Sequence, residues 1–456
     1  MSNIKKTVLD SIKYLVPQET SWLAKFEFFA ILGVLIFALI PIKYTLKTPT
    51  SDLLGYNSDF TALAVYFNFI FMGLFLVIGL FKGIFLEKDK RLIQLVLFLI
   101  IIALGYQLVL SGTTAIISLY FLIKFGCVLL FGYLVYKSEI FLKYKDFYLW
   151  TLVGLGTLNA SIALLQFSAQ SSLGLTIFGE SILAVDLFNV AKTVAHETTF
   201  IRAYGLMPHP NILAGLLLII SILNLYLINK STHYPRLIVS ITSFYLISAG
   251  IFSTLSRGGI VTYFIVLTIW FYTIFKSRLP IKRLVIPAIF GGILCISLIF
   301  WPWLDNRATW NDSAIIERGV FNSTAIQLIE SNWLTGTGPG TNLLFMHKML
   351  ISDLDYWLIQ PIHNYFLIMI SEIGLLGMIL ILFIVYHFAR LWQITLTKKT
   401  NQSHWPIYLS LIALSIFILF WLDHYFYTIW PTQILLWLIL ALIIKEVYMN
   451  KSTDFS

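Results

Sequence analysis

Long apolar runs separated by short polar segments form the dominant pattern of this chain. Most runs hold about 20 residues, the length that an α-helix needs to cross the hydrocarbon core of a bilayer. A helix in lipid satisfies its own backbone hydrogen bonds, so the pattern predicts an all-α polytopic membrane protein. We expect about 12 spans, near residues 24–42, 60–83, 91–110, 113–136, 147–168, 210–228, 235–253, 258–276, 282–302, 363–389, 406–424 and 430–447.

Composition and charge agree with this prediction. Of the 456 residues, 59% are hydrophobic and 12% are charged, whereas about a quarter of a soluble domain is charged. We therefore treat residues 1–456 as a single integral membrane domain. Lys and Arg concentrate on the side of the two termini, which predicts that both termini are cytoplasmic. The net charge of +9 then reflects orientation and contact with anionic membrane lipid, and no nucleic acid is expected as a partner.

Two segments on the outer side of the membrane are long, near residues 169–209 and 303–362. The second follows the ninth span and is predicted to be a large outer loop with a short amphipathic helix from Ala314 to Glu330. The apolar positions of that helix include Ile315, Ile316, Val320, Ile326 and Leu328. The stretch from Gly336 to Asn342 lacks the Lys-Ser/Thr ending of a nucleotide-binding loop. We interpret it as a turn that returns the chain to the membrane.

Three spans begin with polar sequences at the outer side: His209-Pro210-Asn211, Ser256-Arg257-Gly258-Gly259 and Gln360-Pro361-Ile362-His363-Asn364. A helix N-terminus carries free N–H groups and a partial positive charge, and it binds anions. Gly258 and Gly259 allow a ligand to approach the backbone, and Pro361 is tolerated in a first helical turn. We expect the three helix starts to face one another across a lipid-linked phosphate.

Three arginines, Arg202, Arg257 and Arg318, lie on the outer side against the general distribution of positive charge. A guanidinium presents a planar fork of donors that suits phosphate oxygens. For any one arginine alone, anchoring to lipid headgroups is the simpler interpretation. Three of them near helix starts favour an anion site, and the expected anion is a diphosphate on a lipid carrier.

His363 is the candidate general base, since a neutral imidazole beside Asn364 at an anion site can take a proton from a hydroxyl group. From spacing alone, His363 and His209 fit a structural hydrogen-bonding role equally well, and a role as metal ligands is the weaker alternative. His424, beside Asp423 at an outer helix end, is a further candidate base.

Metal-binding and intramembrane charged residues are few. Asp353-Leu354-Asp355 resembles a metal-binding pattern, but short acidic pairs in a loop are usually solvated. No HExxH or paired Cys/His spacing is present, so we expect neither a metal nor another cofactor. Glu372 and Lys124 lie within spans, where a charge is costly unless it is paired or hydrated. The sequence leaves open whether they pair or line a polar pocket.

Taken in order, these short motifs resemble the O-antigen ligase family, which includes related O-antigen polymerases and protein O-oligosaccharyltransferases. The matching pieces are Arg202-x-x-Gly205, His209-Pro210-Asn211, Ser256-Arg257-Gly258-Gly259, Arg318, Gly336-x-Gly338-x-Gly340, His363-Asn364 and Glu372-x-Gly374-Leu375-Leu376-Gly377. They cover about residues 202–380, whereas the first five spans match only as hydrophobic helices.

The resemblance implies an inverting, metal-independent membrane glycosyltransferase with a GT-C-like arrangement of helices. Such enzymes transfer a glycan from undecaprenyl diphosphate to an acceptor hydroxyl at the periplasmic face. Residue by residue, the resemblance implies that His363 is the catalytic base and that Arg202, Arg257 and Arg318 hold the diphosphate. The remaining substrate-binding candidates are His209, Asn211, Ser256, Gly258, Asn364 and Glu372.

The acceptor stays open between a lipid A-core sugar, a second lipid-linked glycan, and a Ser or Thr of a protein. The compact outer loop favours the first two. A polysaccharide transporter or flippase is the alternative from a different class, and transporters hold substrate near the bilayer midplane. Because the polar residues gather at outer helix ends and only Lys124 and Glu372 lie deep, the sequence favours an enzyme.

Overall fold

A computed structural model describes residues 21–46, 48, 60–82, 101–102, 105–106, 109–110, 112–188, 190–195, 197–277, 285–305, 313–350, 360–397 and 404–452. Its helices are α1 (Trp22–Leu39), α2 (Asn68–Phe81), α3 (Gly112–Lys137), α4 (Glu139–Lys143), α5 (Lys145–Ala169), α6 (Pro210–Lys230), α7 (Tyr234–Ser253), α8 (Arg257–Ser277), α9 (Val285–Asp305), α10 (Ser313–Asn332), α11 (Asn342–Leu350), α12 (Tyr365–Thr397), α13 (Trp405–Leu422), α14 (Tyr425–Thr428) and α15 (Trp430–Ser452). A 3₁₀ turn covers Thr176–Phe178. Two antiparallel hairpins pair β1 (Lys43–Thr45) with β2 (Ala64–Tyr66) and β3 (Lys192–Ala195) with β4 (Thr198–Ile201).

Within the described residues, ten helices are long and apolar enough to cross a membrane: α1, α3, α5, α6, α7, α8, α9, α12, α13 and α15. The prediction of an all-α polytopic membrane protein is therefore confirmed. The span predicted near 60–83 is the shorter helix α2, because Ala64–Tyr66 pairs as a strand with Lys43–Thr45. The span predicted near 91–110 falls largely outside the described residues.

Helix α6 is the centre of the bundle. Its side chains from Ile212 to Ile228 are all buried, because α5, α7, α8 and α13 pack around it. Because its polar side chains Ser221 and Asn224 are also buried, α6 contacts protein on every side and not lipid. The rigid position of α6 fixes its N-terminus, where the first of the three polar helix starts lies.

Two helices, α10 and α11, occupy the segment between α9 and α12, where a large outer loop is predicted. Helix α10 lies at the position of the predicted amphipathic helix, and its buried face contains Leu328 from the predicted apolar positions. Phe321, Thr324, Ala325 and Leu328 are buried, a spacing that places them on one helical face. Ile316, Val320 and Ile326 are exposed, because α10 packs against α12 through the other face. That this segment is periplasmic stays a prediction.

Candidate active site

The three polar helix starts meet at one pocket of about 490 Å³. The starts of α6 and α8, the end of α13, strand β3, helix α10 and the segment before α12 all contribute to its wall. Eight predicted site residues line it: Arg202, Arg257, Arg318, His209, Asn211, Ser256, Gly258 and His363. The structure therefore brings together Arg202 and His363, which lie 161 positions apart in the chain.

The start of α6 is formed by the motif His209-Pro210-Asn211. The imidazole Nδ1 of His209 accepts a hydrogen bond from the backbone N–H of Asn211 at 3.2 Å, and Pro210 occupies the first helical position. This arrangement satisfies one free N–H and uses proline where its missing N–H costs nothing. His209 therefore has a capping role as well as a place in the pocket wall.

A tight turn of three residues, Thr254 to Ser256, joins α7 to α8 and places Arg257 at the start of α8. Leu255 adopts a φ of 49° in this turn, which is rare for a residue other than glycine. Its side chain is fully buried, so packing holds the strained backbone. Ser256 Oγ accepts from the Gly259 N–H at 3.4 Å, and the backbone at Gly258 lines the pocket.

The third helix, α12, begins at Tyr365. Asn364 caps it, because its Oδ1 accepts from the N–H groups of Phe366 at 3.0 Å and Leu367 at 3.1 Å. Pro361, expected in the first helical turn, lies before the helix instead. Asn364 thus has a local structural function, while His363 beside it faces the pocket.

A chain of hydrogen bonds connects Arg202 to Asp423 across the pocket. The Arg202 guanidinium donates to the Thr254 carbonyl at 2.8 Å and to Asn211 Oδ1 at 2.7 Å. The Asn211 amide in turn donates to Asp423 Oδ2 at 3.0 Å. A side-chain amide has an oxygen that accepts hydrogen bonds and an NH₂ group that donates them. Asn211 can therefore bind a cation with its oxygen and an anion with its nitrogen.

Asp423 and His424 stand beside His363 at the end of α13. The His363 and His424 rings lie 5.2 Å apart, edge to face. His424 Nε2 is 3.7 Å from Asp423 Oδ1, and its Nδ1 is 2.7 Å from Thr428 Oγ1. The pair proposed as an alternative from sequence is therefore a neighbour of His363 and not a separate site.

Burial lowers the pKa of each imidazole at the pocket below the ordinary value of 6.5. The pKa of His209 falls to about 3, with Arg202 adding to the effect of burial. For His363, burial is again the main cause; Asp423 raises the pKa and Arg318 lowers it. The pKa of His424 also falls to about 3 through burial, against the opposing effect of Asp423. The three rings are neutral at pH 7 and can accept a proton.

Burial acts on the pKa of the Asp423 carboxyl in the opposite direction to its effect on the imidazoles. Burial raises its pKa, but His363, His424 and Arg318 outweigh this effect and lower the pKa to about 2. At pH 7 the imidazoles are neutral, and Arg318 together with the Asn211 amide remains to stabilise the carboxylate. Asp423 is therefore an anion beside neutral histidines.

His363, Asp423 and His424 could hold a metal ion, since one donor atom of each lies within 4.8 Å of the others. Two imidazoles and a carboxylate are a ligand set that suits Zn²⁺. However, Arg318 acts electrostatically on all three groups, and a fixed positive charge opposes the entry of a second cation. The pattern Asp353-Leu354-Asp355 lies outside the described residues.

Glu372 lies away from this pocket and contacts the glycine-rich turn. Its carboxylate accepts from the N–H groups of Gly340 at 2.6 Å and Asn342 at 2.8 Å, and from the Tyr427 hydroxyl at 2.8 Å. Lys124 lies over the Tyr120 ring at 4.8 Å and within electrostatic range of Glu372. The prediction that Glu372 binds substrate stays untested, but its hydrogen bonds are to protein groups.

The pocket also contains residues that sequence reasoning missed. Lys192 on strand β3 adds a fourth basic side chain, and Glu317 and Tyr425 add an acid and a phenol. Lys192 lies in a short hairpin of mixed polarity, which has no signal strong enough to predict its partner elements. Tyr425 follows His424 directly, so the Asp423-His424 pair was the available signal.

One comparison with known proteins bears on this geometry. Residues 242–382 match the family model described as O-antigen ligase, Wzy_C. Over these residues the chain is similar to the O-antigen ligase family. No curated protein matches the chain at a significant level.

The match confirms the resemblance drawn from the motifs over residues 242–382, and the matched family is one of O-antigen ligase- or polymerase-type membrane glycosyltransferases. The matched region contains the start of α8, all of α10 and the segment with His363. Arg202, Asn211 and Asp423 lie outside it, and they join the site through the hydrogen bonds described above.

Proposed function

We propose that this chain transfers a glycan from undecaprenyl diphosphate to an acceptor hydroxyl at the periplasmic face, with inversion and without a metal. The observation that carries the proposal is the pocket in which Arg202, Arg257 and Arg318 converge with His363. Positive charge suits a diphosphate, and a neutral imidazole suits the removal of a hydroxyl proton. The proposal includes a bacterial inner-membrane location with both termini cytoplasmic, so that the pocket faces the periplasm.

The three arginines would stabilise the leaving group. As the bond between the anomeric carbon and the diphosphate oxygen breaks, both electrons remain on the diphosphate. Guanidinium groups and helix N–H groups aimed at this oxygen are most effective in a partly dry pocket. Arg202 is mostly buried and held by Thr254 and Asn211, so its position is set before the substrate arrives.

His363 would act on the acceptor. The acceptor oxygen forms a bond to the anomeric carbon from the face opposite to the diphosphate, and its proton passes to the imidazole. Asp423, as an anion nearby, stabilises the imidazolium that results. The reaction is one displacement, so the configuration at the anomeric carbon is inverted.

A second cavity offers room for the lipid part of a substrate. It is an apolar groove of about 520 Å³ between α3, α12 and α15. Among the side chains that line it are Phe121, Phe125, Leu376, Leu380 and Leu440. A hydrocarbon chain in this groove would lie between the membrane helices.

The test is a transfer assay with the purified chain, undecaprenyl-diphosphate glycan and each class of acceptor, without added metal. We expect transfer to a lipid A-core or to a second lipid-linked glycan. Transfer to protein Ser or Thr would instead identify a protein O-oligosaccharyltransferase. Absence of transfer, together with movement of the lipid-linked glycan across vesicles, would support a flippase, although the polar pocket lies at helix ends and not at the midplane.

A further inference from the structure

The glycine-rich turn and the Glu372 motif form a single interlocked unit, although about 30 residues separate them along the chain. Gly336, Gly338 and Gly340 have φ values of 69°, 110° and 75°. Gly374 has φ 53° and ψ −135° and interrupts the helical geometry of α12. Glycine is the residue that adopts these conformations without strain, so both motifs have the backbone geometry that lets them interlock.

The interruption at Gly374 exposes backbone groups that the turn uses. Thr337 N–H donates to the Ser371 carbonyl at 2.9 Å, and Gly338 N–H donates to the Glu372 carbonyl at 2.9 Å. In the other direction, Leu375 N–H donates to the Leu334 carbonyl at 3.2 Å. Backbone groups within a membrane protein must be satisfied internally, so the break in α12 and the turn depend on each other.

Close approach of the two backbones leaves no room for side chains. A Cβ at Gly336 would lie 2.2 Å from the Glu372 carbonyl oxygen, and one at Gly374 would lie 2.5 Å from the Leu334 carbonyl oxygen. Contacts below about 3 Å are not tolerated by packed atoms. Substitution of either glycine would push the turn away from α12.

The Glu372 carboxylate completes the unit and extends it toward the pocket. It accepts from Gly340 N–H and from Asn342 N–H, the first residue of α11. It also accepts from the Tyr427 hydroxyl. Tyr427 lies on the short helix α14, and its own N–H donates to the His424 carbonyl at 2.8 Å. A carboxylate that holds three donors fixes the elements that carry them.

We infer that Glu372 is a positioning residue that holds the turn 336–342 and helix α14 against α12. It thereby fixes the relative positions of His363, His424 and Arg318. His363 precedes α12 by two residues, His424 precedes α14 directly, and Arg318 lies on α10, which ends at Asn332 just before the turn. The effect on transfer rests on the proposed function, whereas the clamp itself does not. This role differs from substrate binding, which the resemblance implies for Glu372.

The clamp is tested by hydrogen exchange and kinetics of Glu372→Gln and Tyr427→Phe in the full chain. Gln keeps the volume but cannot accept from two N–H groups and a hydroxyl with the same two oxygens. We expect faster exchange at the Gly340 and Asn342 amides in Glu372→Gln, and kcat lower by roughly 10- to 100-fold with donor KM changed little. Tyr427→Phe should give a smaller loss, and the double variant should lose less than the product of the single losses, because both residues share one hydrogen bond.

Tyr386→Phe is the matched control, since Tyr386 lies on α12 with half of its side chain exposed and away from the turn. Unchanged exchange at Gly340 and Asn342 in Glu372→Gln would overturn the clamp. Faster exchange with normal kcat would overturn the positioning role, and a raised donor KM with unchanged exchange would make Glu372 a substrate ligand. These results are separable from failure of the proposed function, because the exchange rates are measured without substrate.

Discussion

The side-chain amide of Asn211 joins Arg202, at 2.7 Å, to Asp423, at 3.0 Å. The amide oxygen faces the cation and the amide nitrogen faces the anion. The two hydrogen bonds therefore link the positions of Arg202 and Asp423 through Asn211. In the proposed reaction, one lies at the leaving group and the other beside the base.

Asn211→Asp tests this coupling. A second carboxylate would repel Asp423 and remove the hydrogen bond to it, while the attraction to Arg202 increases. A hydrogen bond to a charged group contributes about 1.5–3 kcal/mol, so donor affinity and turnover should fall by roughly 10-fold or more. Asn211→Ala should show a similar loss without the added repulsion. Full activity of both variants would show that the bridge has no part in the reaction.

Arg257→Lys should weaken donor binding, because lysine keeps the charge and loses the planar fork of donors. Expression and folding should be normal, since Arg257 begins α8 at the pocket wall. Binding of the lipid diphosphate is measured directly, with Arg236→Lys as the control because Arg236 is exposed near the start of α7. Equal donor affinity in both variants would indicate that Arg257 contacts lipid headgroups and does not bind the donor.

The pH dependence of turnover follows from the direction of the His363 pKa. A base must be neutral, so the rate falls as the pH drops through its pKa. Burial and Arg318 lower that pKa below 6.5, so kcat at saturating donor should stay level to below pH 6.5. Arg318→Ala should move the acid limb upward and Arg318→Lys should not, because lysine keeps the positive charge. An acid limb above pH 6.5 in the unchanged chain would contradict this.

Chelation separates a metal-independent base from a metal site at the same cluster. Because Arg318 opposes a cation beside His363, Asp423 and His424, transfer should survive EDTA. The assay is run after dialysis against EDTA, with Mg²⁺, Mn²⁺ and Zn²⁺ added back singly. Loss of transfer that one of these ions restores would make those residues, or Asp353 and Asp355, metal ligands.

The sequence predicted two of the three helix starts and the three arginines that line the pocket, because these features depend on local signals; the role of the arginines stays a prediction. Pro210 and Ser256 mark helix beginnings through their own backbone chemistry. In the predicted topology, Arg257 lies on the outer side, where the positive-inside distribution places few basic residues. These signals do not depend on how distant segments pack.

Residues whose function depends on distant partners were harder to predict. Asp423 is held by Asn211 across 212 positions, and nothing local distinguishes it from a solvated acid at a helix end. For Glu372, the sequence left open whether the side chain pairs with Lys124 or lines a polar pocket, and only the resemblance implied that it binds substrate. Its partners are backbone N–H groups of a glycine turn, which carry no signature in the sequence.

The exposed face of α10 shows the same limit. Of the apolar positions predicted for this helix, Leu328 is buried, whereas Ile316, Val320 and Ile326 are exposed. Phe321, which was not among the predicted positions, is buried. Helical periodicity fixes which residues share a face, but the packing partner decides which face turns inward. Here α10 packs against α12, and this contact decides which face of α10 is buried.

The central claim is that His363 is the base, and the turnover of His363→Ala with saturating lipid-diphosphate donor tests it most directly. A positioned general base contributes roughly 10²–10⁴-fold, so kcat should fall by that factor while donor binding is largely kept. His209→Ala should lose less, because His209 caps α6, and His233→Ala, exposed before α7, should behave as the unchanged chain. Normal turnover of His363→Ala would contradict the account and make His424 the next candidate base. Loss of donor binding as complete as in Arg257→Ala would also contradict it and indicate that His363 is a phosphate ligand.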